Sequence, residues 1–406
     1  MPKLLQINIV ANWGSTGRIA EQIGEKAMAR GWESFIAYGV WKNPSASKLI
    51  GIGSRCEYRW HKRLTKYTDK HGLFSSWATR RFIRKVKQIK PDIVHLHNIH
   101  GYYINYKILF NYLREANIPV VWTLHDCWSM TGHCAHFVGA DCQKWQTQCY
   151  DCPLSGTYPR AKVDNSRYNY LTKREAFTSL GDKLHLVSVS KWLNGIVDKS
   201  FFAGSGVQQH TIYNGIDGSL FAPRMDISKS QLGLPNKRIL LALATSWTPS
   251  KGLADFVKLS EMLPEEYQIV LIGLLPSQID ALPKSIIARQ RTNSVEELVN
   301  YYSVADVVLN LSRAETFGLT TVEGLACGTP SVVYNATASP ELVTPQTGRI
   351  VEPGDLEGVV KAIEELCAED REALRERCRK HALANFEREK NYDKYFDLYE
   401  KLLTNK

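Results

Sequence analysis

The chain runs to 406 residues, 44% hydrophobic and 23% charged, which excludes a disordered or fibrous protein and allows two domains of roughly 200 residues, each able to bury a core. No run reaches the roughly 20 uninterrupted apolar residues of a membrane span, and the opening MPKLLQINIVANWG has no basic segment leading into an apolar stretch and cleavage site, so a cytoplasmic location is expected. The formal net charge is +10, and nine cysteines in a reducing compartment argue against structural disulfides.

In chain order, short apolar runs alternate with longer amphipathic ones, the pattern of parallel sheets with crossover helices. Strands are expected at 4–10, 34–40, 92–97, 120–125 and 185–190, and a first helix over 17–30 sets Ile19, Ile23 and Ala27 on one face and stops at Gly31. From Arg55 to Lys90, twelve Lys and Arg residues stand against only Glu57 and Asp69, with Tyr58, Trp60, Tyr67, Phe74, Trp77 and Phe82 interleaved. Such a segment suits either an anionic membrane surface, where each cation contributes about 1 kcal/mol, or a solvated helix face. Nucleic acid is not expected as a partner, because no base-reading module accompanies the charge.

The stretch 127–164 lacks periodicity and looks like an insertion after a strand end. Further strands are expected at 239–245, 268–273, 306–312 and 331–334, with helices beginning near Lys251, Ser294, Phe317 and Asp355. These readings divide the chain into a first domain over 1–205, a second over 206–375 and a last helical segment over 376–406 that packs back on the first domain. The expected fold class is α/β: two Rossmann-like doubly wound parallel sheets with a deep cleft expected between domains. Ligands of such sheets sit at the carboxyl ends of strands, so the residues just after each strand matter most.

Gly14-Ser15-Thr16-Gly17 follows the first strand and opens the first helix, where glycines admit an anion to free N–H groups. It lacks the dinucleotide-binding spacing, and the second strand ends in Tyr38-Gly39-Val40 with no acid for a ribose. Glu315 and Glu323 flank a helix start at Phe317, and both can reach one polar ligand; carboxylates accept charge-assisted hydrogen bonds from vicinal hydroxyls, while the N–H groups of Gly318, Leu319 and Thr320 can meet a phosphate. Glu323 lies within an apolar stretch, where burial without a partner is costly. On the rim of the first sheet, His125 ends one strand, and His97, Asn98 and His100 end another and are acceptor-side candidates. Cys134, Cys142, Cys149 and Cys152 have the spacing of a structural Zn²⁺ site, with His133 and His136 able to replace a thiol; free thiols or a redox pair are the alternatives. No Asp-x-Asp occurs, so a divalent metal held by two such carboxylates is not encoded.

The segment from Glu315 to Glu323 resembles the E-x7-E motif of the retaining glycosyltransferases of family 4, which have the GT-B fold. Trp247-Thr-Pro-Ser-Lys251-Gly252, the 212–221 stretch IYNGIDGSLF, and the elements at 338–343 and 348–355 are similar to other family elements, in family order. The stretch TLHDCWSMTGHCA resembles members of colanic-acid-type exopolysaccharide synthesis. The resemblance implies a metal-independent retaining hexosyltransferase that takes a UDP- or GDP-sugar and a glycan or polyprenyl-diphosphate-linked acceptor. It implies that Glu323 holds ribose hydroxyls, Glu315 the transferred sugar, Lys251 the diphosphate and His125 the donor sugar near its primary hydroxyl. The family usually carries an arginine where this chain has Ser246; Arg313 and Arg291 are candidates to replace it. A non-catalytic nucleotide-sugar-binding scaffold protein is the alternative, and it could dispense with Glu315, Lys251 and His125 together.

Overall fold

A computed structural model describes residues 1–404. The chain separates into two compact units, one formed by Met1–Ile212 with the chain from Tyr392 onward, the other by Tyr213–Asn391. Among the described residues no helix is long and apolar enough to cross a membrane.

The first unit runs β1 (Lys3–Ala11), α1 (Gly14–Ala29), β2 (Glu33–Lys42), β3 (Lys48–Gly51), α2 (Arg55–Thr68), α3 (Ser76–Ile89), β4 (Ile93–Leu96), α4 (Tyr106–Ala116), β5 (Val120–Leu124), α5 (Ser166–Thr178), β6 (Leu184–Ser188), α6 (Lys191–Val197) and β7 (Gln208–Thr211). Its sheet has the order β3-β2-β1-β4-β5-β6-β7, every neighbouring pair parallel. Leu4 and Leu5 of β1, Ile93 and Val94 of β4 and Val120 and Val121 of β5 are wholly buried, as strands covered on both faces require. Against this sheet pack Ile19, Ile23 and Ala27 of α1 and, from the far end of the chain, Tyr392, Tyr395, Phe396 and Tyr399, with Trp32 edge-on to Phe396 at 5.7 Å.

The second unit contains β8 (Arg238–Leu243), α7 (Leu253–Met262), β9 (Tyr267–Ile272), α8 (Pro276–Asp280), β10 (Ile286–Arg289), α9 (Val295–Val304), β11 (Val307–Asn310), α10 (Leu319–Ala326), β12 (Ser331–Tyr334), β13 (Gly348–Val351), α11 (Leu356–Ala368) and α12 (Arg371–Phe386). A last helix, α13 (Arg388–Thr404), starts in this unit and ends in the first. The sheet order is β10-β9-β8-β11-β12-β13, again parallel throughout. The 214–217 turn is tied to the start of α13: Ile216 N–H donates to Phe386 O at 2.8 Å, Arg388 N–H to Ile216 O at 2.8 Å, and Arg388 is paired with Asp217.

Each sheet has one point where the strand order reverses, between β1 and β4 in the first and between β8 and β11 in the second. At such a reversal the connections after the two strands go to opposite faces of the sheet, the place where ligands of doubly wound sheets bind. In the second sheet the two loops are stitched together at this point. Arg313 N–H donates to Ser250 O at 2.8 Å, and Gly252, at φ +77°, lies so close to Leu311 that a Cβ would stand 2.4 Å from its carbonyl oxygen. The Cys-rich insertion contains no strand and only short 3₁₀ turns, at Trp128–Met130, Val138–Ala140 and Lys144–Gln146. Lys173 of α5 anchors it from below, donating to Trp128 O at 2.7 Å and Thr131 O at 2.9 Å with its ammonium 3.5 Å from the centre of the Trp128 ring.

Two outcomes are expected from this architecture. Replacing Gly252 by Ala forces both a left-handed backbone on a side chain and a backbone clash, so the variant is expected to lose about 2 kcal/mol or more in a denaturant titration. Burial also holds His61 and His95 at about 3 and His125 at about 4, below the ordinary value of 6.5. The folded state therefore takes up fewer protons than the unfolded chain as pH falls from 6.5 to 4. Stability is fully present above pH 6.5 and is expected to drop by about 1.4 kcal/mol per pH unit per buried histidine at the steepest point; denaturant midpoints measured from pH 7.5 to 4.5 check this.

Candidate functional site

In the second unit the carboxyl edge at the switch point gathers the predicted donor-side residues from two loops. Lys251 closes a short 3₁₀ turn, Pro249–Lys251, after β8, and Glu315 lies in the loop between β11 and α10. Their charges meet at 2.5 Å, with the lysine side chain 28% and the carboxylate 16% exposed. Glu315 is fixed from behind, its N–H donating to Thr337 Oγ at 2.8 Å and its carbonyl accepting from Ala338 N–H at 3.2 Å. Phe317 is buried, and Gly318, at φ +106°, caps α10, so the helix proper begins at Leu319 rather than Phe317. That shift leaves Gly318, Leu319 and Thr320 at the helix start.

Glu323, one turn into α10, is half-buried and accepts a hydrogen bond from Tyr302 of α9 at 2.9 Å. The partner that its apolar surroundings demand is thus a phenol, which burial and the adjacent carboxylate keep protonated. Sequence reasoning missed Tyr302; the available signal was a second polar group in the neighbouring helix at the same depth. Arg313 is committed elsewhere: it pairs with Asp255 at 2.7 Å, and Asp255 also accepts from Tyr334 at 2.9 Å. Ser246 is exposed in the loop after β8, its carbonyl accepting from Thr248 N–H at 3.1 Å.

In the first unit, Gly14, Ser15, Thr16 and Gly17 form the first turn of α1, which begins three residues before the expected helix start at Gly17. Gly14 and Ser15 are exposed; Gly17 is buried and closely packed, since a Cβ there would stand 3.1 Å from the Val10 side chain and 3.2 Å from Asn12 N. Thr16 Oγ lies 3.3 Å from the Asn8 amide, whose Oδ1 accepts from Asn98 N–H at 3.2 Å. This ties the loop after β4 to β1.

The imidazoles of this rim are coupled. His97 Nδ1 lies 3.1 Å from His125 Nε2, the two rings nearly parallel, and His97 Nε2 lies 3.0 Å from Gln6 Oε1. His100 pairs with Asp126 at 2.8 Å and with Tyr158 OH at 2.9 Å, and the Asp126 carboxyl sits far below its ordinary value, because His100 and the Trp128 N–H outweigh the cost of burial. Asn98, His97 and His100 are thus brought together with His125, and Gln6, which the sequence reading did not select, lies wholly buried in β1 against His97. The signal for Gln6 was an amide within the apolar run Leu4-Leu5-Gln6-Ile7.

Cys134, Cys142, Cys149 and Cys152 line one small cavity with His133 and Trp145. Gly132 N–H donates to the Cys149 sulfur at 3.2 Å, and burial raises Cys134 to about 12 and Cys149 and Cys152 to about 11, which keeps them as thiols at neutral pH. All nine cysteines are unpaired. Among the described residues no group of three or more His, Cys, Asp or Glu side chains is placed to hold a metal ion, so the geometry does not match the zinc site that the spacing suggested.

Two family models match the chain in succession, "Glycosyltransferase Family 4" over residues 16–219 and "Glycosyl transferases group 1" over residues 225–385. Among curated proteins it is similar to the "Putative colanic acid biosynthesis glycosyl transferase WcaC" of Escherichia coli K12, with 22% identity over 86% of this chain and 87% of that one. It is also similar to alpha-monoglucosyldiacylglycerol synthase of Acholeplasma laidlawii, with 24% identity over 63% and 61%. Of solved structures, sucrose-phosphate synthase from Thermosynechococcus elongatus superposes with a TM-score of 0.75 over the full length of both chains at 18% identity. Anabaena Alr3699/HepE in complex with UDP-glucose does so at 0.67 over 98% of this chain and 99% of that one, at 16% identity. These likenesses identify the fold as GT-B. With its two doubly wound sheets and a family match spanning half its length, the chain belongs to glycosyltransferase family 4.

Proposed function

We propose that the protein is a retaining hexosyltransferase that carries a sugar from a UDP- or GDP-sugar to a glycan or polyprenyl-diphosphate-linked acceptor in extracellular polysaccharide synthesis. The observation that carries this reading is the pairing of Lys251 with Glu315 at the carboxyl edge between β8 and β11, with Glu323 further along α10. A nucleotide diphosphate needs a cation and helix-start N–H groups, its ribose needs a carboxylate acceptor, and its sugar needs a second one; this loop pair offers all three kinds of group. The likeness to WcaC supports the polysaccharide setting, and the UDP-glucose complex of HepE supports a nucleotide-sugar donor.

In this reading Glu323 accepts from the ribose hydroxyls, with Tyr302 holding its other oxygen. Lys251 exchanges Glu315 for the diphosphate, and Glu315 is released to accept from hydroxyls of the sugar. The bond between the anomeric carbon and the diphosphate oxygen breaks through an oxocarbenium-like transition state. Charge on the leaving group is met by Lys251 and the N–H groups at the start of α10. The acceptor hydroxyl attacks from the same face and gives its proton to a phosphate oxygen of the departing nucleotide, so configuration is retained without an enzyme nucleophile. His125 meets the sugar, and Asn98 and His100 serve the acceptor side, while His97, buried with both ring nitrogens on Gln6 and His125, acts only through His125. No step passes through the cysteine cluster.

For location we propose a cytoplasmic protein that contacts anionic lipid through α2 and α3. Trp60 and Trp77 are each 61% exposed and Tyr67 is 50% exposed, with Arg63 stacked on Trp60 and Arg81 on Trp77, an arrangement suited to the headgroup layer.

Two measurements test these readings. Thermal shift against UDP, GDP, ADP and their sugars is expected to raise the melting temperature for one of the UDP or GDP series, and Lys251→Ala is expected to lower kcat at least 100-fold with that sugar, about 2.7 kcal/mol of transition-state stabilisation; turnover within a few-fold of wild type would end the proposal. In co-sedimentation, vesicles with anionic lipid are expected to retain the protein and neutral vesicles to release it, and the double substitution of Trp60 and Trp77 by Ala is expected to weaken retention about tenfold.

A further inference from the structure

Gln6 lies in the middle of β1 and is wholly buried. Its amide nitrogen donates to Ala20 O at 2.7 Å. A carbonyl oxygen only accepts, so the amide can be oriented only one way, and its Oε1 is the atom 3.0 Å from His97 Nε2. By the same rule that nitrogen of His97 must bear a proton. Full burial beside His95 and His125 keeps His97 neutral, so its Nδ1 is a lone pair. Nδ1 faces His125 Nε2 at 3.1 Å, and a lone pair there requires His125 to donate. His125 is itself neutral at physiological pH and so carries its lone pair on Nδ1.

We propose that Gln6 is a positioning residue for transfer: through His97 it fixes His125 with its proton on Nε2, so that His125 Nδ1 accepts a hydrogen bond from a hydroxyl of the donor sugar. This rests on the reading that His125 meets that sugar. The surrounding groups are His95 on β4, its ring tilted against that of His97 with centres 4.1 Å apart; Asp126 after β5, whose carboxylate is bonded to His100; and Tyr395 and Tyr399 of α13, both kept protonated by burial and both packed on His95. None of these supplies an acceptor to His97 Nε2.

The test is a two-bond ¹H–¹⁵N spectrum of the full-length protein labelled in histidine, with the His125 signals assigned by their loss in His125→Gln. Wild type is expected to show His125 protonated at Nε2 only. In Gln6→Glu the new carboxylate favours an imidazolium at His97, which then donates from Nδ1, so His125 must move its proton to Nδ1. That swap is expected to lower kcat at least tenfold at neutral pH with the KM for donor little changed. Activity should recover as pH rises and His97 loses its extra proton, a step that wild type lacks. Gln6→Met, which removes the acceptor, is expected to give mixed His125 tautomers and a smaller loss. A wild-type spectrum with the His125 proton on Nδ1, or a tautomer unmoved in both variants, overturns the relay. A tautomer that swaps while turnover stays constant overturns the contact of His125 with sugar, and with it this role for Gln6. The wild-type spectrum decides the first point even if a variant fails to fold.

Discussion

In a parallel sheet every strand must leave by the same edge, and the loops that follow can satisfy their backbone groups only there. Both units obey this rule in all of their strand pairings. Residues with polar work to do are therefore concentrated just after β1, β4, β5, β8 and β11, and the strand-order reversals decide which of those loops stand apart from their neighbours. In the second unit the reversal is reinforced by backbone contact between the loops themselves, Ser250 with Arg313 and Gly252 with Leu311. The lysine and the glutamate are thus held by main chain, and their meeting depends little on side-chain choice elsewhere.

How far the sequence revealed this depended on burial. Interior strands β1, β2, β4, β5 and β6 in one sheet, and β8, β9, β11 and β12 in the other, were legible because coverage on both faces demands unbroken apolar runs. The strands that escaped notice, β3, β7, β10 and β13, are the four edges. Gln208-Gln209-His210-Thr211 of β7 shows why: with a neighbour on one side only, pairing is set by the adjacent strand, and the side chains carry no apolar signature. The candidate site was legible through residues with distinctive spacing, Glu315 and Lys251 between elements and Glu323 in α10. Its supporting groups, Tyr302 and Gln6, were not, because a lone polar residue in an apolar element gives no hint of which partner it will find across the fold.

The cysteine stretch shows the opposite failure, a pattern more explicit than the geometry it produces. Its spacing invites a metal, yet the segment is organised by other means: Lys173 capping two carbonyls from beneath, Asp69 paired with His133, and Asp164 accepting from Cys152 N–H at 2.7 Å. Lys173 is unusual in its own right. Burial draws it down to about 7, and the cost of enclosing an ammonium is offset by two carbonyl acceptors and an indole face.

The pair between Lys251 and Glu315 has a bearing on which solutes the empty protein attracts. A bare ammonium at such an edge would collect any passing anion. Here that charge is already neutralised by its own carboxylate at 2.5 Å, so a small monoanion gains little by intruding. Under the proposed function, a guest that offers two phosphates to the lysine and hydroxyls to the displaced glutamate compensates both partners at once. On that reading the contact works as a filter, making occupancy conditional on the whole of the donor rather than on its charge.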